Sequence, residues 1–488
     1  MAHKKIISFE KFIPSKLLSF LRKGYQLVKR IWGIPEIQVI FVLIISRLVI
    51  LITTQWPMDF DYYLSIARSI IDDQAKLYSD IGSNHMPLVD LLYVLMYFVC
   101  PWKNNIIALR IFMKLPFLLS DIGIAYFVMK IIENDSIKSQ QTRDNVEELS
   151  VKQRKLIAGY LVALSLPLIL QTAGGRYDSL LIFCMVMVVY CLQTANWFGV
   201  AFFASLGTAA KYIGIICLPF VVFWMKKTDI KGFVLGLLLG LTPIYPFLLT
   251  ETEAFLSIFL LRASHIAYGF SVWYAIYLLW NGFEPKEVTT IEDTYASSNE
   301  PWFISNLYFP FFVLLYLLCF IWYINCYWKK MRFERIEDQD LEIVINLTFI
   351  SFFIFALTFK AINIQILAWF TPYIALKKKK GLYLEFSLLT VLHGLLIILI
   401  SIHAYSGFTD LAETTAAQGT LFYYLVIIPV DWLAHTIPRI AWTFLLFCTI
   451  IWYQIRSYVE LIRISSETFK KIDYFNFLQL VTRYHDLI

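Results

Sequence analysis

A chain of 488 residues that is 59% hydrophobic and only 16% charged, with a mean hydropathy of +0.65, is too apolar for a water-soluble domain and reads as a polytopic membrane protein. The net charge of +6 implies no nucleic-acid partner, because the lysines and arginines collect at the ends of apolar runs, as membrane topology requires. The seven cysteines lie almost wholly inside apolar runs, with neither metal-site spacing nor the density of a disulfide scaffold, and read as small core residues.

In chain order, residues 1–35 are basic and amphipathic without a continuous apolar core, and are expected to lie as a cytoplasmic interfacial segment. Spanning helices need about 20 apolar residues, fewer where protein packs around them. Candidate spans cover 36–55, 106–132, 156–172, 178–194, 197–210, 213–225, 231–249, 303–328, 342–359, 361–376, 383–404 and 437–455. Shorter apolar stretches at 86–100, 266–280 and 421–430 compete with them. The expected fold is therefore an all-α bundle of about 12 transmembrane helices with large outer loops.

Charge sets the orientation. The basic N-terminus is expected inside, together with the 133–155 stretch, "KKTDIK", "WKKMRFER" and "KKKK". All come out inside only if 86–100 and 266–280 do not cross. Asp59 and Asp61, "GGRYD" (174–178), "AKY" (210–212), "LLRASH" (260–265) and "FKAINIQ" (359–365) then emerge together on the outer face.

Carboxylates at a membrane boundary can act as a general base, and Arg or Lys can hold a phosphate whose lipid tail lies between helices. An acceptor hydroxyl would lose its proton to the base and attack an anomeric carbon while cations stabilise the departing phosphate. The constellation suits glycosyl transfer from a lipid phosphate.

"QWPMDFDYYLSIAR" carries Asp59, Phe60, Tyr63 and Ala67, followed by Tyr78 and "HMPL" with Pro87 and Leu88. Together with "LILQTAGGRYDSLLIF", "AAKYIGIICLP" and "FKAINIQILAWFTPYIAL", this order of motifs resembles the GT-C superfamily of membrane glycosyltransferases over about residues 36–380. It is nearest to the GPI mannosyltransferase I group and its prokaryotic relatives. The relatives often have Gln-Tyr where this chain has Gln365-Ile366, and Gln where it has Arg176. The resemblance implies a catalytic region at 36–380, C-terminal helices at 381–455 and a cytoplasmic tail at 456–488. It also implies a polyprenyl (dolichyl) phosphate sugar donor, a glycan or glycolipid acceptor, and transfer of a single sugar with mannose leading. The membrane would be that of the endoplasmic reticulum or a prokaryotic cytoplasmic membrane, with the site on the non-cytoplasmic face. The family's essential first-loop Asp corresponds to Asp59, through the spacing to Tyr63 and Ala67. Asp61 is left a positioning or capping role.

Each other candidate carries two readings. Arg176 and Asp178 form either a local cap or ion pair at a helix start, or part of a binding site. Lys211 either snorkels from a turn or binds the donor phosphate. Lys360 has the same ambiguity, whereas Asn363 and Gln365 sit inside an apolar run where amides need partners such as sugar hydroxyls. Arg262 and His265 belong to a large outer loop, with His265 expected to support rather than touch the chemistry. Arg47 and Asp121 lie inside spans, where charge is costly unless paired, and are expected to pair with each other.

Glu284, Glu287, Glu292, Asp293 and Glu300 show no fixed ligand spacing and read as a solvated loop, so no obligatory metal is expected. The sequons at Asn134 and Asn346 fall on the inner side or at its boundary and are expected unmodified. A lipid-linked sugar flippase or other transporter is the rival reading. It would need charges near the midplane or along a path to both faces.

Overall fold

The computed structural model describes residues 26, 32–53, 57–83, 85–140, 150–173, 176–263, 267–269, 271–282, 300–359, 361–362, 366–377 and 448. The N-terminal segment before residue 32, apart from residue 26, lies outside them. So do the expected spans at 383–404 and 437–455, apart from residue 448, and the tail at 456–488.

The described chain is α-helical. Helix α1 (Pro35–Thr53) starts on a proline whose missing N–H costs nothing at a helix start, with Glu36 in its first turn. Next comes α2 (Pro57–Ile71), which buries Tyr63, Leu64, Ile66 and Ala67 and exposes Asp61, Ser65 and Arg68. The chain leaves α2 through Gln74, in the left-handed region at φ 57°, where the Ala75 N–H reaches back to the Ser69 carbonyl at 3.0 Å.

Helix α3 (Pro87–Val99) has 13 residues, about 20 Å of rise against the roughly 30 Å of a bilayer core. It packs on its neighbours through a Tyr63–Tyr93 stack at 4.1 Å. The long α4 (Ile106–Gln140) follows. Three helices among the described residues are long and apolar enough to cross a membrane: 106–138 within α4, and two helices further on at 302–325 and 341–358.

Proline and glycine divide several expected spans. The 156–172 span is two helices, α5 (Val151–Ala163) and α6 (Leu166–Ala173), separated just before Pro167. A capping box opens α5, with the Gln153 N–H on Ser150 Oγ and the Ser150 N–H on Gln153 Oε1. Helices α7 (Asp178–Gln193) and α8 (Trp197–Ala210) form a hairpin whose turn places Ala195 at φ 54°. The 213–225 stretch is a 3₁₀ turn, Gly214–Cys217, and the short α9 (Leu218–Val222) with Pro219 in its first turn. The 231–249 span splits into α10 (Ile230–Gly240) and α11 (Tyr245–Thr250), with Pro243 and Pro246 at the break.

Then come α12 (Thr252–Ala263), the two-residue strand β1 (Tyr268–Gly269) and α13 (Val272–Trp280). The remaining elements are α14 (Trp302–Phe333), α15 (Leu341–Thr358), β2 (Ala361–Ile362) and α16 (Ile366–Leu376). The 361–376 stretch is thus only partly helical. β1 and β2 pair in parallel, Tyr268 with Ala361 and Gly269 with Ile362.

Lipid tails are as apolar as leucine, so close backbone packing rather than water exclusion must join such helices. Gly236 and Gly240 of α10 supply it. A Cβ at Gly236 would lie 2.2 Å from the Phe198 carbonyl oxygen, and one at Gly240 2.4 Å from that of Phe202, so α10 sits directly on the α8 backbone. α15 is 94% buried within its apolar stretch, against 11% for α14, which makes α15 a central helix and α14 a peripheral one.

Polar groups sort into tiers. At one end, Glu133 of α4 takes Lys130 at 2.8 Å and Lys155 at 3.3 Å. Lys155 also pairs with Glu36, Arg154 with Asp135 at 3.4 Å and Lys377 with Glu342 at 2.9 Å. In the interior, Arg47 Nε donates to Asp121 Oδ2 at 3.0 Å, with both side chains fully buried; the expected pair forms. Thr172 donates to the same oxygen at 2.6 Å, and Arg47 also donates to the Ala163 carbonyl that the break after α5 exposes. The opposite end carries Arg110 on α4, about 35 Å of helix from Glu133, and Asp178 on α7, about 22 Å of helix from Gln193.

Candidate functional site

Asp178 is the first residue of α7 and is completely buried. Its Oδ1 accepts from Lys211 Nζ at 2.7 Å and from the Trp369 indole N–H at 2.7 Å. Lys211 is directed there by its backbone. It leaves α8 in extended conformation at φ −156°, and the chain folds straight back onto α8. Gly214 permits this, since a Cβ there would lie 2.5 Å from the Gly207 carbonyl carbon and the Thr208 nitrogen. The ammonium lies 5.2 Å from the Tyr177 ring centre and 4.8 Å from that of Trp369, so a carboxylate and two ring faces hold it. Lys211 is therefore neither a snorkelling turn residue nor an uncommitted cation. Asp178 joins a lysine 33 positions away; Arg176, two residues before it, is half-buried with its N–H on the Gln171 carbonyl at 2.8 Å.

The 57–86 region approaches this group through rings. Tyr63 OH is hydrogen-bonded to His85 Nε2 at 3.1 Å. The imidazole centre lies 5.4 Å from that of Tyr177, the residue beneath the Lys211 ammonium. On the outward side of α2, Asp61 is exposed as a residue, yet partial desolvation among its neighbours raises its carboxyl above the usual range, an effect that Arg110 and Arg68 oppose. Its cationic neighbours are thus Arg110 and Arg68. Asp59 belongs to α2 by its backbone, and its side chain lies outside the description.

The connection from α2 to α3 is pinned from a distance. Glu251 Oε2 accepts from the Tyr78 N–H at 2.9 Å, the Ser79 N–H at 2.7 Å and Ser79 Oγ at 2.6 Å. Burial alone would raise its carboxyl, but these hydrogen bonds outweigh that and hold it below the usual range. Elsewhere the parallel β1–β2 pairing joins 268–269 to 361–362. The Trp273 indole N–H supports it by donating to the Thr358 carbonyl at 2.7 Å. Glu300, expected in a solvated loop, is buried instead and accepts from the Ala267 N–H and from Ser305 Oγ at 3.2 Å. Arg262 lies in α12 by its backbone alone. His265, Lys360, Asn363 and Gln365 lie outside the described residues, as do Glu284, Glu287, Glu292 and Asp293.

Among the described residues no group of three or more His, Cys, Asp or Glu side chains could hold a metal. His85, Arg110 and Glu251 are absent from the residues singled out by sequence. Arg110, Lys114 and Asp121 do carry a signal, recurring at helical spacing on one face of an otherwise apolar helix. No family model matches the chain, and no curated protein matches it.

Proposed function

We propose that this protein is an integral membrane glycosyltransferase of the GT-C type, with about 12 spans. It moves one sugar, mannose by resemblance, from a polyprenyl phosphate to a glycan or glycolipid at the non-cytoplasmic face. The observation that carries this reading is the convergence on Asp178. Three segments remote in sequence deliver a carboxylate, a lysine and an indole to one point, and the Tyr63–His85–Tyr177 contacts bring the carboxylate-bearing α2 against it. Aromatic faces beside fixed polar groups suit a sugar, and an end-of-bundle position suits a phosphate at headgroup level.

In this mechanism Asp59 takes the proton of the acceptor hydroxyl as the oxygen attacks the anomeric carbon from the face opposite the phosphate, inverting the centre. Arg176, two residues before the Asp178 that holds Lys211, is assigned to neutralise the departing phosphate. The rival transporter reading draws on Arg47 and Asp121 in the bundle interior, but their complete enclosure favours a structural role over a transport path.

The test is transfer by the purified full-length protein with a panel of polyprenyl-phosphate sugars. Activity only with nucleotide sugars would overturn the donor. Asp59→Asn is expected to lower turnover by about 100- to 10,000-fold, the worth of a general base, with donor binding still measurable. Asp61→Asn is expected to cost clearly less. The reverse order moves the base to Asp61, and full activity in both variants removes α2 from the chemistry. Arg176→Met is expected to cost roughly 10- to 1000-fold.

A further inference from the structure

We propose that His85 is a positioning residue of this site, locking α2 against the turn that carries Tyr177 and Asp178 so that the α2 carboxylates and the Lys211 group act on one sugar-phosphate substrate. The inference rests on the glycosyl-transfer reading and assigns a role to a residue outside its acid, base and cation set.

The imidazole is placed from both sides. Its backbone N–H donates to Ser83 Oγ at 3.2 Å, and Ser83 in turn donates to the buried Asp90 carboxylate at 2.6 Å. Its carbonyl accepts from Tyr78 OH at 3.1 Å, on the same strap that Glu251 pins through the Tyr78 and Ser79 amides. A residue fixed at both backbone groups presents its ring at a defined angle.

That ring touches both elements. On the α2 side it hydrogen-bonds Tyr63 at 3.1 Å and packs on Tyr62 at 5.4 Å between centres. On the other side it meets Tyr177 at 5.4 Å in an edge-to-face contact, whereas Tyr63 and Tyr177 are 6.4 Å apart. Tyr177 precedes Asp178 and lies under the Lys211 ammonium. A phenylalanine at position 85 would keep the packing and lose the bond to Tyr63, leaving the rotation of α2 about its axis less constrained. Misplacing a reacting group by about 1 Å can cost on the order of 100-fold in rate.

The experiment uses the full-length protein in lipid nanodiscs, with wild type, His85→Phe and His85→Gln compared in transfer kinetics and in amide hydrogen exchange over 57–71 and 176–180. His85→Phe is expected to lower kcat by roughly 10- to 100-fold with the donor KM changed less than about threefold. His85→Gln, which can still accept from Tyr63, is expected to stay within about threefold of wild type. Exchange should rise in both segments for His85→Phe alone. Wild-type kcat in His85→Phe, or equal losses in both variants, overturns the positioning role. If the wild type itself transfers no sugar, the glycosyl-transfer reading fails, and the exchange arm still decides whether His85 couples the two segments. Unchanged exchange in His85→Phe overturns that coupling.

Discussion

Lys211 and Trp369 meet on a single oxygen atom, Oδ1 of Asp178, each at 2.7 Å. Asp178 is fully buried and Lys211 retains only 14% side-chain exposure. The pair therefore acts as one unit, and the two partners cannot be altered independently.

Lys211→Met leaves a buried carboxylate without its counter-charge, which typically costs about 3–5 kcal/mol. A large fall in thermal unfolding midpoint is expected, with loss of any transfer activity following from it. Asp178→Asn combined with Lys211→Met is expected to recover much of the stability. An unchanged midpoint in Lys211→Met would show that the pair carries no stability.

Glu251 makes the 78–79 strap sensitive to acid. Because its folded pKa lies below the ordinary value, the stability it contributes is complete above the unfolded Glu pKa of about 4.3 and is lost as pH falls through the folded value. Glu251→Gln is expected to cost about 1.5–3 kcal/mol at pH 7, the scale of hydrogen bonds to a charged group. The gap between variant and wild type should narrow as the medium is acidified below pH 4. A gap independent of pH means the carboxylate charge is immaterial.

Two glycines of α10 should behave oppositely. Gly236→Ala puts a methyl 2.2 Å from the Phe198 carbonyl oxygen, and forcing α8 and α10 apart is expected to cost on the order of 1–3 kcal/mol. At Gly232 the nearest atom to a new Cβ is 3.7 Å away, so Gly232→Ala is expected to be neutral or to gain up to about 1 kcal/mol of helix propensity. Unfolding of the detergent-solubilised protein with added denaturant checks both, and equal effects would contradict the α8–α10 packing.

Topology can be read with impermeant thiol reagents in sealed, oriented cells, but the probe positions matter. Ser136, on the end of α4 expected inside, is only 3% exposed, so a cysteine there would resist labelling whichever way the chain runs. Thr228 and Ser65 are both exposed. The proposed orientation predicts a shielded cysteine at Thr228 and a labelled one at Ser65. Labelling of Thr228 alone would invert the bundle, and labelling of both from one side would break the alternation of spans.

Pairings were legible where an unpaired charge would be costly. Arg47 and Asp121 are opposite charges within apolar runs, and they meet. Asp178 and Lys211 stood out as polar interruptions, but with Arg176 two residues from one and a turn beside the other, nothing local selected Lys211 as the partner of Asp178. Hydropathy also fails to see where a helix stops: Pro167 and Pro243 divide apolar runs that read as single spans. Glu251 was invisible for another reason. Its value depends on two backbone amides 172 and 173 residues away, and backbone donors have no sequence signature.

The same wide spacing imposes an order on biogenesis. At about 5–20 residues per second of synthesis, Lys211 follows Asp178 by about 2–7 s, whereas Trp369, 191 residues downstream, follows by about 10–40 s. A newly inserted α7 therefore carries its carboxylate only briefly before the lysine masks it, and this half of the cluster can form while the ribosome is still working. The indole arrives last, so chains interrupted between residues 211 and 369 carry both charged partners but not the indole that shares their oxygen.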